Sequence, residues 1–573
     1  MDSAADDPDI PPPLFVTQTL LLAYSSGEML LWDYIVVGGG LAGSVISNRL
    51  LERNPSLKIL LVEAGIDAND RQDIVWPNST NGQFGDFDWA YYSEPQSHLN
   101  NRSIASNSGK GLGGSTLING AFWVRGHTVE YDQWAELVGD DRWSYKGQLP
   151  YMRKTETFMT NDTDLEQHGL DGNVKIQNRV STNRTKFPMR EPLLKSWEEL
   201  GAAQLPQLDG NMGEPIGIAE AQENRDMGRR QQASLVYSLD GITVLTETMV
   251  AKVITTTTTN GTIIAQGIQL ANGTEIYGSE TILTAGAYRT PQILMLSGIG
   301  PAETLEKYDI PVVLNQPDVG QHLHDHPIIP TFWKLKDPSA GYARESGASI
   351  WDEPQYDLGL DIDFLTTLPV PKEGLAKAIA EDEGETPDPD THPLLKQDRA
   401  HVCHVVQYSG GSTDGSALFF MTLMLVVQAE GSVTISSADI NDEPVIDPNF
   451  LGTATDRYAL REAIRTDIRL MTSNETVIGR EIISGEVSNN PLTVDSTDDE
   501  IDARIRENGA GCYHPSGTAS MGKVVDTDLR VKGISGLRIA DTSVIPLLLS
   551  ANLQIATYAL AEQAAVILEP TSA

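Results

Sequence analysis

The stretch Asp33-Tyr-Ile-Val-Val-Gly-Gly-Gly-Leu-Ala-Gly43, running on through Val45–Leu51 to Ile59-Leu-Leu-Val-Glu63, decides the fold. A β-branched apolar run, a glycine turn, a helical apolar pattern and a second apolar run read as a βαβ unit. Gly38, Gly40 and Gly43 make a G-x-G-x-x-G. Such glycines permit a tight turn, close approach of backbone to a pyrophosphate, and close helix packing, with the phosphate at the helix N-terminus. Glu63 closes the second strand 20 residues after Gly43, where a carboxylate accepts hydrogen bonds from ribose hydroxyls. The pattern predicts a dinucleotide site without separating NAD from FAD.

A second glycine cluster bears on that choice. In Gly109-Lys-Gly-Leu-Gly-Gly-Ser-Thr-Leu-Ile-Asn-Gly120, small residues let backbone N–H groups and Ser115 approach a further stretch of cofactor. A long, two-ended cofactor such as FAD fits best.

At 573 residues the chain exceeds one ordinary core, so two or more domains are expected. Its 41 Lys and Arg against 79 Asp and Glu give a formal charge of -38, a field that repels nucleic acid and anionic membranes. No membrane span is read, because even Leu14 to Trp32 is interrupted by Thr17, Gln18, Ser25, Ser26, Gly27 and Glu28. The segment before it carries Asp2, Asp6, Asp7 and Asp9 in place of the basic start of a secretory leader. Sequons at Asn78, Asn101, Asn161, Asn183, Asn260, Asn272 and Asn474 suit a glycosylated secreted protein, and Cys403 and Cys512 are too few for a disulfide framework. The compartment stays open.

Farther along, Ser234 to Ala285 is rich in β-branched residues, with Asn260-Gly261 and Asn272-Gly273 as hairpin turns. Tyr145 to Gly210 is mixed and polar. Asp337 to Asp398 is rich in Pro, Gly and acids and reads as long loops with short helices, including a solvated acidic stretch from Glu381 to Asp390. Asn552 to Leu568 reads as an apolar, Ala-rich helix.

Four separated motifs, in order, resemble the glucose-methanol-choline oxidoreductase family across Asp33 to Leu568. They are Gly38 to Gly43 with Glu63; Lys110 to Gly126, including Asn119 and Arg125-Gly126; Ala285 to Gly300; and Cys512-Tyr-His-Pro-Ser-Gly-Thr-Ala-Ser-Met-Gly522. The resemblance implies an α/β fold: a Rossmann-like FAD-binding domain from residues 30–145, 211–330 and 506–573, and a substrate domain on an antiparallel sheet from 146–210 and 331–505. It implies cofactor contacts from Gly38, Gly40, Gly43, Glu63, Lys110, Gly114, Ser115, Asn119, Gly120, Asn552, Val250 at the adenine, and Asp541 beside the ribityl chain and pyrophosphate. Some members bind the flavin through a histidine where this chain has Ile118, so noncovalent FAD is expected.

Hydride leaves a carbinol carbon most easily while the hydroxyl is losing its proton, which calls for a base of near-neutral pKa facing the flavin. The resemblance assigns that role to His514. It places Asn552 opposite, where an amide positions the substrate oxygen and cannot itself be a base; the residue also suits a helix N-cap. The expected partners are a small-molecule alcohol and O2 or another oxidant. An alternative is a flavin-containing cyclase or lyase without net redox chemistry, because the C-terminal segment looks like the fungal secondary-metabolite branch that includes versicolorin B synthase.

Three competing chemistries fit less well. No G-x-S-x-G elbow precedes a hydrolase triad. His322, His324 and His326 match no zinc spacing, and they lie where the family has a loop over the cofactor. On an extended segment Cys512 and His514 stand roughly 6.6 Å apart, too far for a thiol–imidazole bond unless the chain bends.

Overall fold

The computed structural model describes residues 31–75, 83–160 and 164–569. The βαβ unit folds as strand Trp32–Val37, helix Leu41–Arg53 and strand Ile59–Val62. Every residue of Ile59–Val62 is buried, as suits a parallel strand covered on both faces. In the sheet around it the order is Thr243–Leu245, Ile59–Val62, Trp32–Val37, Glu275–Leu283, Ile263–Leu270, Val250–Thr257. The first four strands pair in parallel, and Leu537–Ile539 joins Glu275–Leu283 in parallel as well. The last three form an antiparallel meander whose turns are the two Asn-Gly dipeptides, with Gly261 and Gly273 at φ +86° and +85°.

A second, wholly antiparallel sheet runs Ile483–Glu486, Pro327–Leu335, Ala417–Met424, Val402–Gln407, Ile362–Leu368, Gly217–Glu220, with Ala510–Gly511 also on Pro327–Leu335. Gly217–Glu220 and Ala510–Gly511 therefore lie in this sheet, although 211–330 and 506–573 are assigned above to the cofactor domain. The division at 330 falls inside strand Pro327–Leu335, all of which belongs to the second sheet. Ile362–Leu368 emerges from the segment read as loops and short helices. Its short apolar run was masked by the Pro, Gly and acidic residues on either side.

Helix Gln554–Ile567 starts two residues after Asn552, and its N-cap is Leu553 with no side-chain cap. Asn552 is thus not spent on capping. Among the described residues no helix is long and apolar enough to cross a membrane. Most of the Leu14 to Trp32 stretch, Asn78 and Asn161 lie outside the described residues; the other five sequon asparagines are exposed.

Candidate active site

The two glycine clusters are stitched together directly. The Gly113 N–H donates to the Gly39 carbonyl at 2.8 Å, and a Cβ on Gly114 would stand 2.7 Å from Gly40 Cα. Behind the turn, a Cβ on Gly43 would lie 2.0 Å from the Gly38 carbonyl oxygen, so only glycine lets the helix start this close to the strand. Glu63 is buried and accepts the N–H groups of Gly39 at 2.7 Å and Gly65 at 2.8 Å; burial raises its carboxyl above the ordinary range despite these donors.

From here a continuous cavity of about 470 Å³ leads to His514. Gly38, Gly40, Glu63, Gly114, Ser115 and Val250 line it, and so do Asn119, Gly120, Asp541, His514 and Asn552. Two predicted residues do not line it: Gly43 backs the turn, and Lys110 carries its ammonium over the Trp89 ring, 4.6 Å from the centroid. Asp541 is held by Gly286 N–H at 2.9 Å, the Thr290 hydroxyl at 2.7 Å and Ser543 N–H at 2.8 Å, which ties the C-terminal segment to helix Gly286–Leu296. The residues fit FAD: side-chain-free loops at one end, a carboxylate at the ribose position of the motif, an imidazole at the other end. Apolar Ile118, the position at which the resemblance places a linking histidine in some members, lines the cavity.

The sequence placed His514 but missed its partner. Strand Ala510–Gly511 docks on Pro327–Ile328, and the Cys512 N–H donates to the His326 carbonyl at 2.8 Å. The two histidines then meet Nδ1 to Nδ1 at 2.8 Å with rings nearly perpendicular. His326 Nε2 donates to the Leu425 carbonyl at 3.1 Å. A neutral imidazole has one N–H, so His326 Nδ1 is an acceptor and His514 Nδ1 carries the proton between them. Nε2 of His514 is left with its lone pair, facing the Asn552 amide nitrogen at 3.2 Å.

Burial holds both rings neutral. It pushes His326 well below the usual imidazole value, and it pushes His514 down to about 4, lower than the near-neutral base expected from the sequence. Among the described residues no carboxylate offsets this, because Asp325 beneath the pair accepts the backbone N–H groups of His514 at 2.7 Å and His326 at 2.8 Å and not a ring N–H. Asp325 is itself raised to about 7 by burial.

The segment around Cys512 is not extended. Tyr513 sits at φ +63°, an uncommon conformation for a bulky residue that recurs at active sites. The bend brings Cys512 Sγ to 3.9 Å from His514 Nε2. Burial raises the thiol far above its ordinary value, so it stays protonated and unreactive. Among the described residues no group of His, Cys, Asp and Glu is arranged to hold a metal ion.

Comparison with known proteins identifies the family. The family profiles for GMC oxidoreductases match residues 32–328 and 427–561. The chain is 36% identical over 552 residues, 93% of its length and 98% of the relative's, to the GMC-type oxidoreductase acuG of Aspergillus aculeatus. It is 30% identical over 563 residues, 93% of either chain, to an oxygen-dependent choline dehydrogenase of Burkholderia thailandensis. A structure of formate oxidase from Aspergillus oryzae, reported for its FAD modification, superposes with a TM-score of 0.81 at 27% identity, covering 94% of this chain and 97% of that one. The protein is an FAD-binding enzyme of the GMC oxidoreductase family.

Proposed function

We propose that the enzyme oxidises an alcohol to a carbonyl, with His514 as the base and Asn552 as the group that orients the substrate oxygen. The observation that carries this reading is the tautomer imposed on His514: its Nδ1 proton is committed to His326, so the Nε2 lone pair points toward Asn552 and the cavity.

A hydroxyl held by the Asn552 amide lies within reach of that lone pair. Bound FAD supplies the acceptor for the hydride that leaves the carbinol carbon. A ring with a pKa near 4 is too weak to ionise a resting alcohol, but the hydroxyl becomes strongly acidic as the hydride departs, so His514 receives the proton late in the same event. His326 Nδ1 then accepts from an imidazolium instead of a neutral ring, a charge-assisted bond that favours the proton on His514. The glycine loops, Glu63, Ser115, Asn119 and Val250 would hold FAD noncovalently, with O2 or another oxidant as the proposed final electron acceptor.

The test is anaerobic mixing of the yellow holoenzyme with benzylic, allylic, sugar and polyketide alcohols while the flavin absorbance is followed. Bleaching by an alcohol supports the reading. Conversion of a substrate at an unchanged flavin spectrum replaces it with the cyclase or lyase reading.

A further inference from the structure

The second sheet presents one face to the cavity, and its register makes that face a grid. Thr367, Cys403, Leu423 and Ile328 lie side by side on four adjacent strands. Two residues along, Leu365, Val405 and Met421 form the next row. All seven line the cavity. With strands about 4.8 Å apart and two residues spanning about 6.7 Å, the platform measures roughly 14 Å by 7 Å.

The grid adjoins the catalytic end. Ile328 pairs with Ala510 on the strand leading to His514. Cys512, whose sulfur is 3.9 Å from His514 Nε2, packs against the same apolar cluster. Leu425, next in line after Leu423, supplies the carbonyl that anchors His326.

Charge is confined to the far side of the same strands. There His404 Nδ1 meets Asp467 at 2.6 Å and the Thr422 hydroxyl donates to the other oxygen of that carboxylate at 2.5 Å. Among the described residues, the cavity lining itself carries two carboxyl side chains, Glu63 and Asp541, and one guanidinium, Arg289. Glu63 and Asp541 are bonded as described above. Arg289 is bonded to Tyr91, Gln292 and the Ile440 carbonyl and lies 4.2 Å above the Trp89 ring, so its charge is already engaged. Among the described residues no other charged side chain lines the cavity to receive an ionic substrate.

From this arrangement we infer that the substrate is an uncharged alcohol whose carbon skeleton is flat or extended and apolar, lying on this grid with its hydroxyl at His514 and Asn552. The inference rests on the alcohol-oxidation reading for the hydroxyl end and on the grid for the skeleton. A carboxylate or ammonium on the skeleton would be buried without a partner, which costs far more than a lost contact.

The experiment uses the holoenzyme and three primary benzylic alcohols of similar shape, with isopropyl, carboxylate or trimethylammonium in the para position. Anaerobic flavin reduction gives the limiting rate and Kd for each. The isopropyl compound is expected to exceed both charged ones by at least ~100-fold in rate over Kd, about 2.7 kcal/mol. The matching aldehydes, titrated against the flavin spectrum, report binding without turnover and are expected to show the same order. A charged aldehyde that binds as tightly as the isopropyl one overturns the substrate class, whether or not any alcohol is oxidised. If the isopropyl aldehyde binds preferentially while no alcohol bleaches the flavin, the platform stands and the oxidation reading falls.

Discussion

Nδ1 of His326 and Nδ1 of His514 lie 2.8 Å apart across 188 residues of sequence, and that contact sets which nitrogen of His514 faces Asn552 and the cavity. In the proposed reaction His326 is a positioning residue. His326→Ala is expected to lower kcat about 10–100-fold with KM nearly unchanged, because His514 loses its enforced tautomer. His326→Gln, which can accept from His514 and donate to the Leu425 carbonyl through one amide, is expected to recover activity to within about tenfold of the wild type. Steady-state kcat and KM of the two variants distinguish positioning from a general loss of structure.

The pH dependence follows from burial of His514. With its pKa held down to about 4, the ring is protonated and inactive below that value and neutral above it. The rate of flavin reduction is expected to rise through about pH 4 and to stay level up to pH 8, where an unperturbed histidine would put the rise near 6.5. Stopped-flow reduction at saturating substrate across this range reads it.

Asp325 gives a stability signature separate from activity. Its carboxyl is raised from 3.8 to about 7, so the folded protein keeps a proton that the unfolded chain releases over that interval. Its contribution is complete below about pH 4 and is lost as pH rises through about 7. Asp325→Asn removes the titration and leaves an oxygen to accept the two backbone N–H groups. Relative to the wild type, the variant's Tm is expected to gain roughly 3 °C between pH 4 and 8.

Cys512 is close to His514, but its buried, protonated thiol is predicted not to act as a nucleophile. Cys512→Ser is expected to keep turnover within about threefold, and iodoacetamide is expected to label the native thiol slowly, because the thiolate is scarce at neutral pH. Rapid inactivation by iodoacetamide, blocked by substrate, would assign it a reactive role.

The cofactor half was legible from the sequence because its constraints are local. Gly38, Gly40, Gly43 and Glu63 sit within one βαβ unit, and Gly114 meets Gly40 through motifs that each read as a tight turn. His514 was singled out through its own motif. His326 was not: it stood beside His322 and His324 as one of three spaced histidines, and its contact depends on how Ala510–Gly511 docks on Pro327–Ile328. The bend at Tyr513 was likewise hidden, since nothing in Cys-Tyr-His marks a left-handed residue. The apolar grid was hidden for a further reason. Its members come from four strands, and their apolar alternation acquires meaning only once the register aligns Leu365 with Val405 and Met421.

The most direct test of the account compares wild type and His514→Ala, both loaded with FAD, mixed anaerobically with an apolar benzylic alcohol. The account predicts that the wild-type flavin bleaches as the aldehyde forms and that the variant bleaches about 10²–10⁴-fold more slowly. Equal rates in the two proteins, or aldehyde formed without bleaching, would contradict it.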